Sequence, residues 1–105
     1  EQERYEDLLA AADRFLERAR LNGVDNPEFH YAESVVLVLK GREQDALEAL
    51  QTSYDRGWRQ AWVLDIDGRL DPLRPLPGFQ ELQRRIDDEL DAALATVRSR
   101  QVAAL

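Results

Sequence analysis

Tyr5, Leu8, Leu9, Ala12, Phe15, Leu16 and Ala19 recur at steps of three, one, three, three, one and three. That rhythm places them on one side of a helix and predicts an amphipathic helix over residues 3–21. Glu1, Glu3, Glu6 and Asp7 crowd its start and Arg18 and Arg20 its end, the order that suits the helix dipole. Gly23 follows as a C-terminal stop. A turn over Asn22–Pro27 leads to a second helix, from Pro27 to about Lys40, with Asn26 as its cap. Its run Val35-Val36-Leu37-Val38-Leu39 also suits a buried strand on composition alone. Length, the cap and the stripe Phe29, Ala32, Val36, Leu39 favour helix. A third helix is predicted over residues 43–56, with Ala46, Leu47, Ala49, Leu50 and Tyr54 facing inward. The turn at Gly41 is short, so the second and third helices are expected to form an antiparallel hairpin.

Beyond Gly57 the pattern changes. A short helix is expected over residues 59–64. Residues 65–78 hold Pro72, Pro75 and Pro77 with Gly68 and Gly78, and read as a loop with one helical turn at 72–74. Leu70, Leu73 and Leu76 are expected to point inward and pin it, and Asp71 to cap the turn at Pro72. The last helix is predicted from Pro77 to about Val102. Phe79, Leu82, Ile86, Leu90, Leu94 and Val97 form its buried stripe, and its final two turns are expected to project or fray.

An internal correspondence underlies this order. Ala12 and Ala46, Leu16 and Leu50, Ala19 and Ser53, and Gly23 and Gly57 are each separated by 34 residues. Small residues let two helices approach, a large apolar residue fills the space between them, and glycine ends the helix. A 34-residue period of helix-turn-helix units resembles the tetratricopeptide repeat. Ser34, Gly41, Ala46, Leu50 and Ser53 carry the resemblance, at that repeat's spacing of small, turn, small, large and small residues. His30, Glu33 and Trp58 depart from it, standing where Trp, Leu and Pro are common. A second stretch adds to the resemblance: Gly57-Trp58, Trp62, Leu64, Leu70-Asp71-Pro72-Leu73-Arg74, Pro77, Phe79-Gln80 and Leu82. It is similar to the element that closes tetratricopeptide arrays in bacterial multidomain proteins such as adenylate cyclases and winged-helix transcription regulators.

The expected fold is therefore all-α: antiparallel helical hairpins of an α-α superhelix, closed by a proline-rich loop and a long C-terminal capping helix. Residues 1–24 are the second helix of a truncated repeat. Residues 27–57 are one complete hairpin, and residues 58–105 are the short helix, loop and cap. The chain is expected to be a fragment of a longer protein.

Composition narrows the function classes. The 105 residues carry 14 Lys plus Arg against 21 Asp plus Glu, a net charge of -7, and the acid excess is spread along the chain. No segment is basic, which argues against nucleic-acid and anionic-membrane partners. No apolar run approaches the ~20 residues of a membrane span. A soluble protein of the cytoplasm or periplasm is expected. There is no Cys and one His, which excludes a disulfide framework, a Cys nucleophile and a multi-histidine metal site.

Candidate chemistry is sparse. Asp65, Asp67, Gly68 and Asp71 suggest a calcium loop, but the register that puts Asp67-Gly68 at its fifth and sixth positions puts Val63 first and Arg74 last, and neither can ligate as required. His30 has no nucleophile or oxyanion site beside it, although Ser34 shares its helix face. Asp87, Asp88, Glu89 and Asp91 point in different directions around a helix and read as a solvated face. Trp58 and Trp62, four apart, could share a helix face and read as core. No catalytic residue, cofactor or metal is assigned, and the chain is expected not to be an enzyme. The resemblance implies a scaffolding or protein-interaction module in a bacterial regulator. Its groove would be lined by the first helix of the hairpin, at Glu28, Tyr31, Val35, Val38 and Leu39, and would take a protein or peptide partner. The alternative is a structural cap that self-associates as a homodimer through the last helix, where Ala92, Ala93 and Ala95 permit close approach.

Overall fold

The computed structural model describes residues 2–60 and 62–104, all helical or irregular with no strand among them. The helices are α1 (Gln2–Leu21), α2 (Pro27–Leu39), α3 (Glu43–Asp55), α4 (Trp62–Ile66) and α5 (Pro77–Ala104), with a 3-10 helix at Gly68–Leu73 between α4 and α5. Glu1 of the acidic start and Ala61 of the short helix lie outside the described residues. The chain divides after Arg74 into two compact units.

In the first unit, local chemistry sets the helix ends. Asn26 is extended and its side chain accepts from the Phe29 N–H at 2.8 Å, with Pro27 opening α2. That satisfies one donor that the helix itself leaves unpaired. The two ends 34 residues apart close in the same way. Val24 N–H bonds to Ala19 O at 3.0 Å and Gly23 N–H to Arg20 O at 3.0 Å. Trp58 N–H bonds to Ser53 O at 3.0 Å and Gly57 N–H to Tyr54 O at 3.1 Å. Both patterns need a left-handed residue after the helix, and Gly23 and Gly57 take it at φ 81° and 110°. The sequence repeat is thus also a repeat of backbone punctuation.

α2 packs chiefly on α3, and also on α1 and the 3-10 helix. Ser34, Ala46 and Ser53 have no exposed surface, so the small residues sit where the backbones come close. The Ser53 hydroxyl donates to Pro27 O at 2.7 Å, tying the end of α3 to the start of α2, and Ser34 donates to Tyr31 O at 2.6 Å. Buried hydroxyls are thereby satisfied. Leu47, Leu50, Tyr54, Leu64, Leu70 and Leu73 complete the core.

Several expectations are corrected here. The short helix is Trp62–Ile66 rather than residues 59–64, and the helical turn expected at 72–74 is a 3-10 helix over Gly68–Leu73. Its cap is Asp67, whose carboxylate accepts from Arg69 N–H at 3.1 Å. Asp71 is exposed and pairs with Arg74 at 2.7 Å instead. Trp58 and Trp62 do not share a face: Trp58 follows Gly57 outside any helix and is 3 % exposed, whereas Trp62 opens α4 and is 63 % exposed. Leu76 is only half-buried. On α1, Leu16 is buried, but Tyr5, Leu8 and Phe15 of the same stripe are exposed.

The second unit is α5. Phe79, Leu82 and Ile86 are buried, while Leu90, Leu94 and Val97 are 56 %, 45 % and 49 % exposed. The expected buried stripe therefore ends at Ile86. Helical periodicity marks the apolar side of a helix but not how much of it finds cover. The last turns remain helical to Ala104.

Candidate functional site

Three places in the first unit bring functional side chains together. The first is the α2 face expected to line a groove. Its five residues do not form one open strip. Glu28 is exposed and Leu39 is 40 % exposed, but Val35 and Val38 are 6 % and 8 % exposed and Tyr31 is half-buried. Of the expected lining, Glu28 and Leu39 are accessible, whereas Tyr31, Val35 and Val38 do not stand open.

Tyr31 shows how that side is occupied. Its ring stacks on Trp58, with centroids 4.8 Å apart and planes 16° from parallel. Its hydroxyl donates to the Asp67 carboxylate. Arg69 grips the same carboxylate through Nε at 2.9 Å and Nη2 at 2.8 Å, and Arg74 reaches Asp67 O at 3.2 Å. The Arg69 hydrogen bonds, joined by the one from Tyr31, hold the Asp67 carboxyl well below its usual range. Burial, and then the hydrogen bond to that carboxylate, push the Tyr31 phenol well above its usual range. Asp67 has its acceptor capacity filled by backbone, guanidinium and phenol. Such a carboxylate is a poor base and a poor metal ligand, and the cluster fastens the 3-10 helix to α2. Asp67-Gly68 is legible in the sequence as a turn, but nothing there pairs Asp67 with a tyrosine 36 residues earlier.

The second place surrounds His30. Its Nε2 meets Asp25 Oδ1 at 2.5 Å, and Arg56 meets Asp25 Oδ2 at 2.6 Å. The His30 hydrogen bond first, and the Arg56 charge with it, lower the Asp25 carboxyl below its ordinary range. The Phe29 ring stands edge-on to the imidazole at 5.4 Å. Ser34 is committed to Tyr31 O and presents no nucleophile to His30. The arrangement bridges the loop before α2 to the end of α3 and holds no acyl-transfer geometry.

The third place is a cleft of about 630 Å³ between α1, α2 and the start of α3, which sequence reasoning missed. Leu16, Val36 and Leu37 form its floor, and charged residues of both signs its walls. Lys40 pairs with Asp13 at 3.0 Å, Arg20 with Glu33 and with Glu17, and Arg42 with Asp45 at 2.6 Å. The Lys40–Asp13 and Arg20–Glu33 pairs stitch α1 to α2 across the opening, the other two are local to α1 and the start of α3, and each is partly solvated. No single sign dominates, so the cleft does not select an anion or a cation. Beside it, on the outer side of α1, Ala11, Arg14, Phe15 and Arg18 frame a shallow depression of about 230 Å³.

Among the described residues, no group of three or more His, Asp or Glu side chains is placed to hold a metal ion. No helix among them is long and apolar enough to cross a membrane. No protein-family model, curated protein or solved structure matches the chain.

Proposed function

We propose that the chain is a non-catalytic protein-interaction or scaffolding module, a tetratricopeptide-like segment from the C-terminal part of a bacterial signalling or regulatory protein. One observation carries the reading. At the 34-residue offset, Ala12, Phe15, Leu16 and Ala19 of α1 stand where α3 has Ala46, Ala49, Leu50 and Ser53. All four α3 residues are buried, whereas Phe15 is 72 % exposed and Ala12 and Ala19 are only half-buried. Leu8, one heptad before Phe15, is 63 % exposed. So α1 carries the same face as α3 but, apart from the buried Leu16, without the cover that α3 enjoys. An apolar helix face left open is the surface on which another amphipathic helix docks. Arg14 and Arg18 flank Phe15, which favours a partner helix with acidic residues beside its apolar stripe.

The groove on α2 is not the surface we favour, because Val35 and Val38 are buried and Tyr31 is engaged. Leu39 and Glu28 remain at its accessible margin. A display library of amphipathic helical peptides tests the reading directly. Binders are expected whose affinity falls at least tenfold with Phe15→Glu or Leu8→Glu and is unchanged by Leu94→Glu. A library without binders, or binders indifferent to both α1 substitutions, would refute it.

The second reading is a self-associating cap acting through the last helix. The exposure of Leu90, Leu94 and Val97 on α5 favours it, since three large apolar residues at spacings of four and three make a seam rather than scattered surface positions.

A further inference from the structure

The distal part of α5 carries its charge in blocks. Asp87, Asp88, Glu89 and Asp91 come first, residues 92–97 carry no charge, and Arg98 and Arg100 follow. Every residue from Asp87 to Arg100 is exposed. The dipole of the helix does not account for this order. Acids are stabilised in the first turn and bases in the last, and the effect fades within a turn. α5 has no acid in its first turn and no base in its last, and its acid block begins at Asp87 although the helix begins at Pro77. The uncharged middle is where Leu94 and Val97 stand exposed, with Leu90 at its acidic edge. One helix therefore presents an apolar centre with negative charge on one side and positive charge on the other.

Such a surface is complementary to itself in one orientation. A reversed copy sets Asp91 against Arg98 of its partner on both sides of the twofold axis, and brings the rest of each acid block toward the basic end of the other helix. A copy running the same way sets acid on acid and base on base, which is unfavourable. We propose that residues 87–101 of α5 pair with the same segment of a second copy in antiparallel register, with the twofold axis crossing near Leu94. The proposal rests on the self-association reading above and adds its orientation and register. The overlap is about 22 Å long, and its surface is small, so the pair is concentration-dependent and weakens with salt.

The full chain has no Cys, so single cysteines report cleanly. Sedimentation from about 1 to 200 μM at low salt is expected to show a monomer passing to a dimer. Under oxidation, Leu94→Cys is expected to link to its copy. Gln101→Cys is expected not to, because its two copies lie about 20 Å apart along the axis, beyond disulfide reach. The double variants Arg98→Glu/Arg100→Glu and Asp87→Arg/Asp91→Arg are each expected to lose dimerisation by at least tenfold, and an equimolar mixture to regain it. Circular dichroism confirms that each variant is folded. A monomer at every concentration overturns the self-association reading and the register together. A dimer in which Gln101→Cys links as readily as Leu94→Cys leaves self-association standing and overturns the antiparallel register. A dimer indifferent to Leu94→Glu overturns the assignment to this segment.

Discussion

Asp67→Ala tests whether the Tyr31–Asp67–Arg69 cluster holds the irregular stretch after α4 in place. Three interactions are lost together. The N-terminal cap of the 3-10 helix, Arg69 N–H to the carboxylate at 3.1 Å, is worth about 1 kcal/mol. The Tyr31 hydroxyl, half-buried under Trp58, loses its acceptor at a cost of about 1–2 kcal/mol. The Arg69 ion pair adds only about 0–1 kcal/mol, because the guanidinium is more than half exposed. The expected loss is about 2–4 kcal/mol, and a shift of more than about 10 °C in Tm for a chain of this size. Asp67→Asn keeps one oxygen for the cap but turns its amide N–H2 toward the Tyr31 hydroxyl and Arg69, which lose their acceptor, so it should cost less than Asp67→Ala, about 1–2 kcal/mol. Tyr31→Phe combined with each variant completes a double-mutant cycle. Its coupling should be about 1–2 kcal/mol with Asp67→Ala. Urea unfolding followed by circular dichroism at pH 7 gives all of these values. A loss below about 0.5 kcal/mol for Asp67→Ala, or equal losses for Ala and Asn, would refute the argument. The pH dependence follows with a definite sign. The folded Asp67 carboxyl lies below its unfolded value of 3.8, so its contribution is complete above that value and is lost as pH falls. The folded Tyr31 phenol lies above its unfolded value of 10.0, so its contribution is complete below that value and is lost as pH rises. The acid-side loss should shrink in Asp67→Asn and the alkaline-side loss in Tyr31→Phe.

The two tryptophans should separate sharply. Trp58→Ala is expected to cost about 3–5 kcal/mol and Trp62→Ala within about 0.5 kcal/mol, and Trp62→Phe should leave a blue-shifted emission from Trp58 that reddens on unfolding. Ala46→Leu should cost about 1–3 kcal/mol by overpacking a position with no exposed surface, whereas Ala92→Leu on exposed α5 should change urea stability by less than about 0.5 kcal/mol. Asn26→Ala should cost about 1 kcal/mol through the lost cap at Phe29, and hydrogen exchange should show the added opening confined to the start of α2. Gly57→Ala should also destabilise by about 1 kcal/mol, since φ 110° strains any side chain there.

The α1, α2 and α3 spans were legible along the chain because their causes are local. Periodicity, Asn26 with Pro27, and glycines at 23, 41 and 57 are all read within a few residues of the helix they shape. The 34-residue correspondence was legible for the same reason, and it reappears as matching capping bonds at Gly23 and Gly57. The all-helical class followed from these signals together.

What the sequence could not determine is which apolar surface meets a neighbour. Leu8 and Phe15 on α1, and Leu90, Leu94 and Val97 on α5, obey the same spacing as buried residues, yet they are open. Burial depends on what stands opposite, and that is a property of the assembled chain. Tyr31, Val35 and Val38 show the converse. Their spacing puts them on the side expected to line a groove without saying whether it is open, but a stacked Trp58 and a carboxylate 36 residues away occupy Tyr31, and both valines are buried. The Asp13–Lys40 and Arg20–Glu33 pairs over the cleft are likewise long-range. Composition and spacing decide what each helix is, whereas only the tertiary structure decides which of its faces are filled.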